Sequence, residues 1–594
     1  MGRTIPSDGG RGGYHVRPMR RHQIVRRTPA ADCVLPAGLH PVLRRVYAAR
    51  GVGDASELEL GLGRLLPVSS LEGIGAGVSL LLGHLERGSR VLVVGDYDAD
   101  GATSTALILR QLQRLGFRNV GFRVPDRMRH GYGLTAGLVE EIAAEQPGLI
   151  VTVDNGVAAH GGIEAAASRG IQVLVTDHHL PGPSLPPADV MINPNLRESA
   201  FASKALAGVG VAFYLMAALT RRLEQRDGER KPPVADLLDL VALGTVADLV
   251  SLDHNNRILV DEGLRRIRAG RAATGLLALA DVTGRRLDWL TARDLGFSLA
   301  PRLNAAGRID DMTVGIRCLV SDDMQEARAL AEQLHQLNRD RRDIEDRMRA
   351  EAVEILRRIR IEEGSLPPGV ALFDQAWHPG VVGLVASRIK ERVHRPVAAF
   401  APAEGGELRG SVRSVEGVHV RDVLEAIDAR EPGLILRFGG HAMAAGLSLE
   451  RARFRRFADA FAEEVGRWLS AEQMRGVIQS DGELSAAELN LDTAVALREG
   501  GPWGQGFPEP LFDGEFHVVE SRVVGQTHLK FWARSRGEGQ PLEGIAFGYY
   551  AEASTPRVEA GSRLRLAYRL ETSDFGGRLK PEIKAESVEP LAGA

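Results

Sequence analysis

Three aspartates stand at alternate positions directly after a short apolar run. The run VLVV is followed by a glycine and then by Asp96, Asp98 and Asp100. Carboxylates this close raise one another's pKa unless a cation neutralises them. One capping aspartate would suit a solvated turn, but three of them after so apolar a run favour a site for hard divalent cations.

Acidic and imidazole side chains follow later apolar runs in the same way. LIVTV precedes Asp154, QVLVT precedes the triplet that contains His178 and His179, and LVALGTVADLV carries Asp248. Carboxylates with one or two imidazoles suit Mn²⁺ or Mg²⁺ better than a sulfur-rich zinc site. Two such ions, roughly 3.5–4 Å apart, can clamp the attacking and leaving oxygens of an in-line displacement.

The pattern of strand, loop and helix explains how these side chains could meet. Short apolar runs at 91–95, 149–153, 172–176 and 190–192 are separated by segments with helical character. This alternation predicts a parallel sheet with helices on both faces. The polar groups then lie beyond the carboxyl ends of the strands, where open α/β sheets bind ligands.

The remainder of the chain predicts two further units. Residues 322–363 contain neither proline nor glycine, so we expect one long polar helix that bridges two lobes. A second α/β pattern follows the breaker segment GSLPPG, and alternating β-rich segments beyond about residue 475 predict a small antiparallel barrel. The predicted fold class is α/β: a parallel-sheet domain, a connecting helix, a second α/β lobe and a C-terminal β-barrel.

Composition narrows the class of protein. A chain of 594 residues exceeds one hydrophobic core. No apolar run approaches the roughly 20 residues that span a bilayer, and two cysteines fit a reducing compartment, so we expect a cytoplasmic protein without a membrane. The net charge of −3 gives no global nucleic-acid signature, but residues 1 to about 30 read as a disordered basic arm.

Several motifs together resemble a known family. The Asp-His-His triplet at 177–179, with GDYDADG, TVDNG and GTVADLV, resembles the DHH phosphoesterases. Later blocks, including APRLNAAGRIDDM, HPGVVGLVASRIKER and RFGGHAMAAGLS, are similar to the RecJ family of bacterial single-strand-specific 5′ to 3′ exonucleases. The basic arm, placed at 1–35, lies outside this resemblance. The resemblance implies a DHH domain at 36–320, a connecting helix at 321–365, a DHHA1 domain at 366–472 and an OB-type domain at 473–594.

The resemblance also implies a site for two divalent ions, Mn²⁺ or Mg²⁺, that hydrolyses phosphodiester bonds. The expected metal ligands are Asp96, Asp98, Asp100, Asp154, His178 and Asp248, with Asp154 as the bridging candidate. The expected catalytic residues are Asp98, Asp100, Asp154, His178, His179 and Asp248. Which ion each of the first three aspartates would bind stays open.

Basic and small residues are candidates for contact with a single strand. Period-2 alternation in LRGSVRS brings Arg409, Ser411 and Arg413 to one face of a predicted strand. In GGHAMAAG, backbone without a side chain could approach a phosphate, and AMAAG suits a helix of small residues. The full set of DNA-binding candidates is Arg127, Arg302, Asn304, Arg308, Arg409, Ser411, Arg413, Gly440 and His441. Single-stranded DNA, a helicase and a single-strand-binding protein are the partners that the resemblance implies for a monomeric enzyme in recombination and repair.

Two other functions compete with this interpretation. A DHH phosphatase or phosphodiesterase acting on short oligonucleotides or pyrophosphate would need only the two lobes, so the additional β-rich region disfavours it. A non-catalytic single-strand-binding protein would retain its whole function after Asp154→Ala.

Overall fold

The computed structural model describes residues 23–30, 33–126, 129–309, 311–358, 366–415, 417–440, 443–469, 476–550, 555–574 and 578–591. These residues form two lobes and a barrel, each with its own sheet. A short strand, β1 (Gln23–Arg26), precedes the first lobe and pairs with a strand far along the chain.

A parallel sheet of five strands forms the first lobe, in the order β3-β2-β4-β5-β6. The strands are β2 (Val91–Gly95), β3 (Val120–Arg123), β4 (Leu149–Val153), β5 (Gln172–Thr176) and β6 (Val190–Ile192). Every residue of β2 and β4 is buried, as expected for parallel strands that are covered on both faces. The four predicted strands are confirmed, whereas β3 was not predicted.

Helices cover both faces of this sheet and continue beyond it. They are α1 (Pro41–Ala48), α2 (Ile74–Arg87), α3 (Ala99–Arg114), α4 (Ala136–Ala143), α5 (His160–Ser168), α6 (Gly208–Asp227), α7 (Leu238–Ala247), α8 (His254–Arg268), α9 (Thr274–Val282), α10 (Ala292–Asp294), α11 (Ala300–Ile309) and α12 (Thr313–Val320). One core joins α2, α3 and α6 to one face of the sheet, and a second core joins α4 and α5 to the other.

One long helix, α13 (Met324–Arg358), leaves the first lobe. Its 35 residues correspond to roughly 52 Å at 1.5 Å per residue. Ala327, Ala331 and Leu334 anchor its first turns in the core of the first lobe. The prediction of a single connecting helix is confirmed up to residue 358, and residues 359–365 lie outside the described part of the chain.

The second lobe is built on a mixed sheet in the order β10-β11-β9-β8-β7. Its elements are β7 (Val370–Phe373), α14 (Val382–Val393), β8 (Val397–Pro402), β9 (Glu407–Arg413), α15 (Val420–Arg430), β10 (Arg437–Gly440), β11 (Ala444–Glu450) and α16 (Phe454–Trp468). The helix predicted for AMAAG is wrong: residues from Ala444 onward form β11, which pairs with β9 and β10. Tertiary pairing overrides the helical preference of alanine here.

The C-terminal unit is a closed barrel in the order β13-β14-β15-β17-β16. It comprises β12 (Val477–Ser480), α17 (Leu491–Glu499), β13 (Phe512–Val524), β14 (His528–Ser535), β15 (Glu538–Ala546), β16 (Arg563–Asp574) and β17 (Leu579–Leu591). Neighbouring strands are antiparallel except β15 and β17. The apolar interior of the barrel is continuous with the core of the first lobe, whereas the second lobe has separate cores.

The basic arm expected at residues 1–35 requires a correction. Strand β1 pairs in parallel with β12, and Arg26 donates two hydrogen bonds to Asp513 at 3.0 and 2.9 Å. Arg27 and Arg50 both pair with the buried Asp481. These arginines therefore serve as partners of buried carboxylates rather than as a solvated tail, and residues 1–22 lie outside the described segments.

Among the described residues, no single helix has the length and apolarity to cross a membrane. The segments Leu62–Ser70 and Ile74–Arg87 satisfy the length and composition test only as a pair, with a bend of 81° between them.

Candidate metal centre

The loop between β2 and α3 places the first aspartates at the carboxyl edge of the sheet. Asp98 caps α3 by accepting the backbone N–H of Gly101 at 2.9 Å. The amide oxygen of Asn304 accepts the N–H of Ala99 at 2.7 Å, so helix α11 holds the same turn from outside. Asp96 is buried at the end of β2. Because Asp96 and Asp98 are two residues apart, their carboxylates lie in the same region at the carboxyl edge of the sheet.

Asp100 lies one turn further and is fixed by the start of α6. Its two carboxylate oxygens accept the backbone N–H groups of Gly208, at 2.7 Å, and Val209, at 3.0 Å. A Cβ on Gly208 would lie 2.8 Å from Cβ of Asp154, and one on Gly244 would lie 2.7 Å from Oδ1 of Asp100. Glycine at these positions lets two helices approach the carboxylates closely.

Asp154 follows β4 in the left-handed backbone region, with φ of +60°. Its Oδ1 is buried and accepts no hydrogen bond from the described residues. Nε2 of His178 lies 3.0 Å from that oxygen and 3.5 Å from Oδ2 of Asp248. A buried oxygen beside an imidazole nitrogen, without the geometry of a hydrogen bond, is the arrangement expected of two ligands that share an ion.

The predicted ligands converge in three overlapping groups, in each of which the ligand atoms lie within 4.8 Å of one another. The groups are Asp96, Asp98 and Asp154; Asp100, His178 and Asp248; and Asp154, His178 and His179. Oxygen donors with imidazole nitrogen fit Mn²⁺ or Mg²⁺. Asp154 and His178 each belong to two groups, which is consistent with a pair of neighbouring ions.

The electrostatics of the cluster also fit a bound cation. Burial, followed by repulsion from Asp98, raises the pKa of both Asp96 and Asp100 to about 7. Burial and the neighbouring carboxylates likewise raise the pKa of Asp248 to about 8 and that of Asp154 well above its ordinary value. Without a cation these carboxyls hold protons that free aspartates have lost.

Asp177 organises the two histidines. Its carboxylate accepts the backbone N–H groups of Val157, His178 and His179 at 2.8, 2.7 and 3.1 Å, and its Oδ1 lies 2.8 Å from Nδ1 of His179. Although burial alone would raise the pKa of Asp177, the hydrogen bond from His179 holds it below the ordinary value. Conversely, burial opposes the charged imidazole, but Asp177 raises the pKa of His179 to about 9.

The second lobe brings three of the predicted strand contacts together. Strand β9 carries Arg409, Ser411 and Arg413 on one face, as the alternation predicts. Nη1 of Arg413 donates to Oγ of Ser411 at 2.7 Å, and burial lowers the pKa of Arg413. Gly440, at the end of β10, has a φ of +145°. Arg127 and His441 lie outside the described residues.

The three candidates on α11 occupy different environments. Arg302 is buried and donates to the carbonyl of Ser298 and to Nδ1 of His335, whereas Arg308 is exposed. Burial, followed by the positive charges of Arg342 and Arg285, lowers the pKa of Arg302 to about 10. Asn304 supports the aspartate loop through its hydrogen bond to Ala99 N–H.

Sequence reasoning missed several residues, or their roles, in shaping the centre. It predicts Asn304 as a DNA contact, whereas the structure shows that Asn304 supports the aspartate loop. Asp177, Gly208 and Gly244 also support the centre and are not among the predicted site residues. Tyr132 is half exposed, donates its hydroxyl to the carbonyl of Asp154 at 3.2 Å and packs edge-on against His179. Asp177 had a visible signal, because it belongs to the Asp-His-His triplet, whereas no local pattern marks Tyr132.

Three family models match successive parts of the chain. Residues 90–245 match the DHH family N-terminal domain, residues 367–467 the DHHA1 domain and residues 480–587 the RecJ OB domain. The parallel sheet with its acidic edge and these matches define a DHH-family protein. Within this family, the chain is similar to RecJ proteins over nearly its whole length. The chain therefore belongs to the RecJ family.

Curated relatives and solved structures support this assignment. The chain is 51% identical to single-stranded-DNA-specific exonuclease RecJ of Dickeya dadantii (strain 3937) over 96% of this chain and 99% of that protein. It is 49% identical to the protein of the same name from Escherichia coli (strain K12), with the same coverage. The crystal structure of RecJ from Thermus thermophilus in complex with Mn²⁺ is 32% identical and superposes with a TM-score of 0.73, over 93% of this chain and 76% of that chain. The Mg²⁺ complex of that protein gives 30% identity and a TM-score of 0.67.

Proposed function

We propose that the protein is a metal-dependent exonuclease that degrades single-stranded DNA from its 5′ end to mononucleotides, in DNA recombination and repair. The observation that carries the proposal is the convergence of the six expected ligands, with His179, at the carboxyl edge of the sheet. Relatives that match 96% of the chain are named single-stranded-DNA-specific exonucleases. The 5′ to 3′ direction is inferred from the resemblance of the motifs to the RecJ family.

The centre would hold two divalent ions, and solved relatives carry Mn²⁺ or Mg²⁺. The ligands would be Asp96, Asp98, Asp100, Asp154, His178 and Asp248. Such ions neutralise crowded carboxylates, polarise a phosphodiester and lower the pKa of water at the site. Asp154 is the bridging candidate, because it is the carboxylate that joins two of the three groups of ligand atoms and can offer two oxygens, whereas His178 is an imidazole.

The protein's own groups fix the geometry of this centre. The backbone N–H groups at the start of α6 hold both oxygens of Asp100, so its carboxylate cannot rotate freely. Asp177 fixes the ring of His179 through Nδ1, which orients the other ring edge for contact with a ligand or a phosphate oxygen. Tyr132 covers the edge of that ring. Such fixed groups reduce the reorganisation that the reaction requires.

The candidates for strand binding supply positive charge from the first lobe, through Arg302, and from the second lobe, through Arg413. Arg302 belongs to a group of arginines whose mutual repulsion a polyanion would relieve. Ser411 and Arg413 form a ready anion contact on β9, and we propose that this face receives the 5′ end. Arg127 and His441, outside the described residues, stay candidates from the sequence. The barrel has the fold type that binds single strands in a groove.

An enzyme limited to single strands requires another activity to open a duplex. We therefore propose that a helicase and a single-strand-binding protein supply its substrate, and that it acts as a monomer in the cytoplasm.

Digestion of end-labelled strands tests the proposal. With Mn²⁺ present, a single strand labelled at its 5′ end should release labelled mononucleotide at once, and one labelled at its 3′ end should release it last. A matched duplex should resist, and Asp154→Asn should be inactive while Glu164→Gln, an exposed carboxyl on α5, behaves as the wild type. Early release of the 3′ label, equal cleavage of the duplex, or hydrolysis of dinucleotides alone would refute the proposal.

A further inference from the structure

A cavity of about 250 Å³ lies at the end of α3 that is remote from the metal centre. We call it the arginine cavity, and its lining includes Arg110, Arg114, Arg266, Arg271 and Thr274. Arg110 is ten residues beyond Asp100 on the same helix, a distance of roughly 15 Å along the axis. The cavity is therefore separate from the centre described above.

The charges that line the arginine cavity are unbalanced. Four guanidinium groups and one carboxylate, that of Asp236, line it, and a second carboxylate, that of Asp322, pairs with Arg110. Within the described chain, the guanidinium groups of Arg114 and Arg271 have no hydrogen-bonding or ionic partner, and both side chains are exposed. Arg266 uses its Nε to donate to the carbonyl of Ala235 at 2.6 Å. Most of the donor capacity of these three arginines thus remains available to a ligand.

Arg110 forms the inner wall and is held rigidly. Its Nη1 donates to the carbonyl of Val320 at 2.8 Å, and its Nη2 pairs with Asp322. The side chain is about nine-tenths buried, and its Nε has no hydrogen-bond acceptor in the described part of the molecule. A buried donor without an acceptor costs free energy unless a ligand or water satisfies it.

The start of α9 adds a backbone donor to the same cavity. Asp239 accepts the N–H of Ala273 at 2.7 Å, but no described acceptor takes the N–H of Thr274, the first helical residue. Helix N-termini and arginine forks both favour phosphate oxygens. The volume is below the roughly 300–1,000 Å³ of pockets that enclose a drug-sized ligand, so a phosphate group fits better than a whole organic molecule.

We propose that the arginine cavity binds a phosphate group, carried either by a free nucleotide or by a DNA strand. The group would contact Arg114, Arg266 and Arg271 at the mouth and Arg110 within. Helices α3 and α7 each connect this region to the metal centre, since Asp239 and Asp248 stand at opposite ends of α7. The cavity and the metal centre thus lie at opposite ends of the same two helices.

Calorimetric titration of the full-length protein in EDTA tests this proposal. Without divalent ions the aspartate cluster offers no cation to a phosphate group, so it contributes no phosphate site of its own. The probes are inorganic phosphate, 5′-dAMP and an oligothymidylate without terminal phosphates. The Arg114→Gln/Arg271→Gln variant should bind the preferred probe at least about tenfold more weakly, because two charge-assisted contacts are lost.

The control is Arg221→Gln/Arg222→Gln, which neutralises two exposed arginines on α6. It should bind each probe like the wild type, and thermal unfolding should show that both variants fold. If the loss of affinity in Arg114→Gln/Arg271→Gln is greatest for phosphate or 5′-dAMP, the occupant is a free anion. If it is greatest for the oligothymidylate, the occupant is a strand, because the strand contacts proposed elsewhere are intact in both proteins. Equal affinities of the wild type and Arg114→Gln/Arg271→Gln for all three probes would overturn the proposal.

A nuclease assay keeps this proposal separate from the proposed function. On a short 5′-labelled strand with Mn²⁺, the Arg114→Gln/Arg271→Gln variant should retain activity, because neither arginine belongs to the metal centre. An inactive wild-type protein would refute the nuclease function and leave the phosphate titration interpretable on its own.

Discussion

Asp154→Asn should change the stability of the protein in opposite directions with and without metal. The backbone at this position has a φ of +60°, a region that asparagine adopts readily, and the two side chains have nearly the same volume. Oδ1 of Asp154 accepts no hydrogen bond from the described residues, so an amide in its place breaks none. The substitution therefore removes a buried carboxyl that needs either a proton or a cation in the folded protein, with little other disturbance.

The gain in EDTA follows from the cost of burying this carboxyl. Burial, followed by repulsion from Asp100 and Asp98, raises the pKa of Asp154 well above its ordinary value. The folded protein without metal therefore takes up a proton that the unfolded chain has lost near neutral pH, and removal of this requirement should stabilise the variant by about 1–3 kcal/mol, the typical cost of an unsatisfied buried polar group. Metal at a hundred times its dissociation constant stabilises the wild type by about 2.7 kcal/mol, or roughly 5–10 °C in Tm for a unit of this size.

Thermal unfolding in EDTA and in excess MnCl₂ measures both effects. In EDTA the Asp154→Asn variant should unfold at a higher temperature than the wild type, and in MnCl₂ the order should reverse. Glu164→Gln should follow the wild type in both buffers. If Mn²⁺ raises the Tm of the variant as much as that of the wild type, or if the variant is the less stable protein in EDTA, the interpretation of this cluster as a metal centre is refuted.

Three further outcomes follow from the same centre. Asp177→Asn should lower kcat roughly 10–100-fold, because the His179 ring is then held less firmly. Mn²⁺ should still stabilise this variant, since no proposed metal ligand is removed. Unchanged kinetics would contradict the proposal that Asp177 orients His179. Gly244→Ala should cost about 1–3 kcal/mol and weaken Mn²⁺ binding, since its Cβ would lie 2.3 Å from Oγ1 of Thr103 and 2.7 Å from a carboxylate oxygen of Asp100. Gly137→Ala has open space around its Cβ and should be neutral or stabilising in urea unfolding. In EDTA the free energy of unfolding should fall as the pH rises from about 5 to about 8, because the folded aspartates keep protons that the unfolded chain has lost. Excess Mn²⁺ should make this pH profile flatter. A flat profile in EDTA would contradict the raised pKa values.

The residues that converge at the candidate metal centre could be predicted because each follows a local pattern. Asp96, Asp98 and Asp154 follow apolar runs, and parallel strands place their carboxyl ends at one edge. The supporting residues could not be predicted in this way. The hydrogen bond between Ala99 and Asn304 joins residues 205 positions apart, and the need for Gly244 depends on how closely α7 approaches α3.

The errors in the fold prediction have physical causes. Strand β3 has only four residues, none of them fully buried, so its sequence lacks the apolar run that marks its neighbours. The segment AMAAG has helical composition, but its alanines and glycine fit the crowded middle of a sheet beside β9. Arginines near the N-terminus suggested a free arm, because sequence does not reveal that buried carboxylates more than 400 residues away are their partners.

Strand β1 sets an order of events during synthesis. Its partners are made last: Asp481 is 454 residues beyond Arg27, and Asp513 is 487 residues beyond Arg26. At roughly 5–20 residues per second, the ribosome needs on the order of half a minute or more to supply them. Strand β1 therefore cannot pair while the first lobe is being synthesised and folds. It pairs only after β12 and Asp513 have left the ribosome.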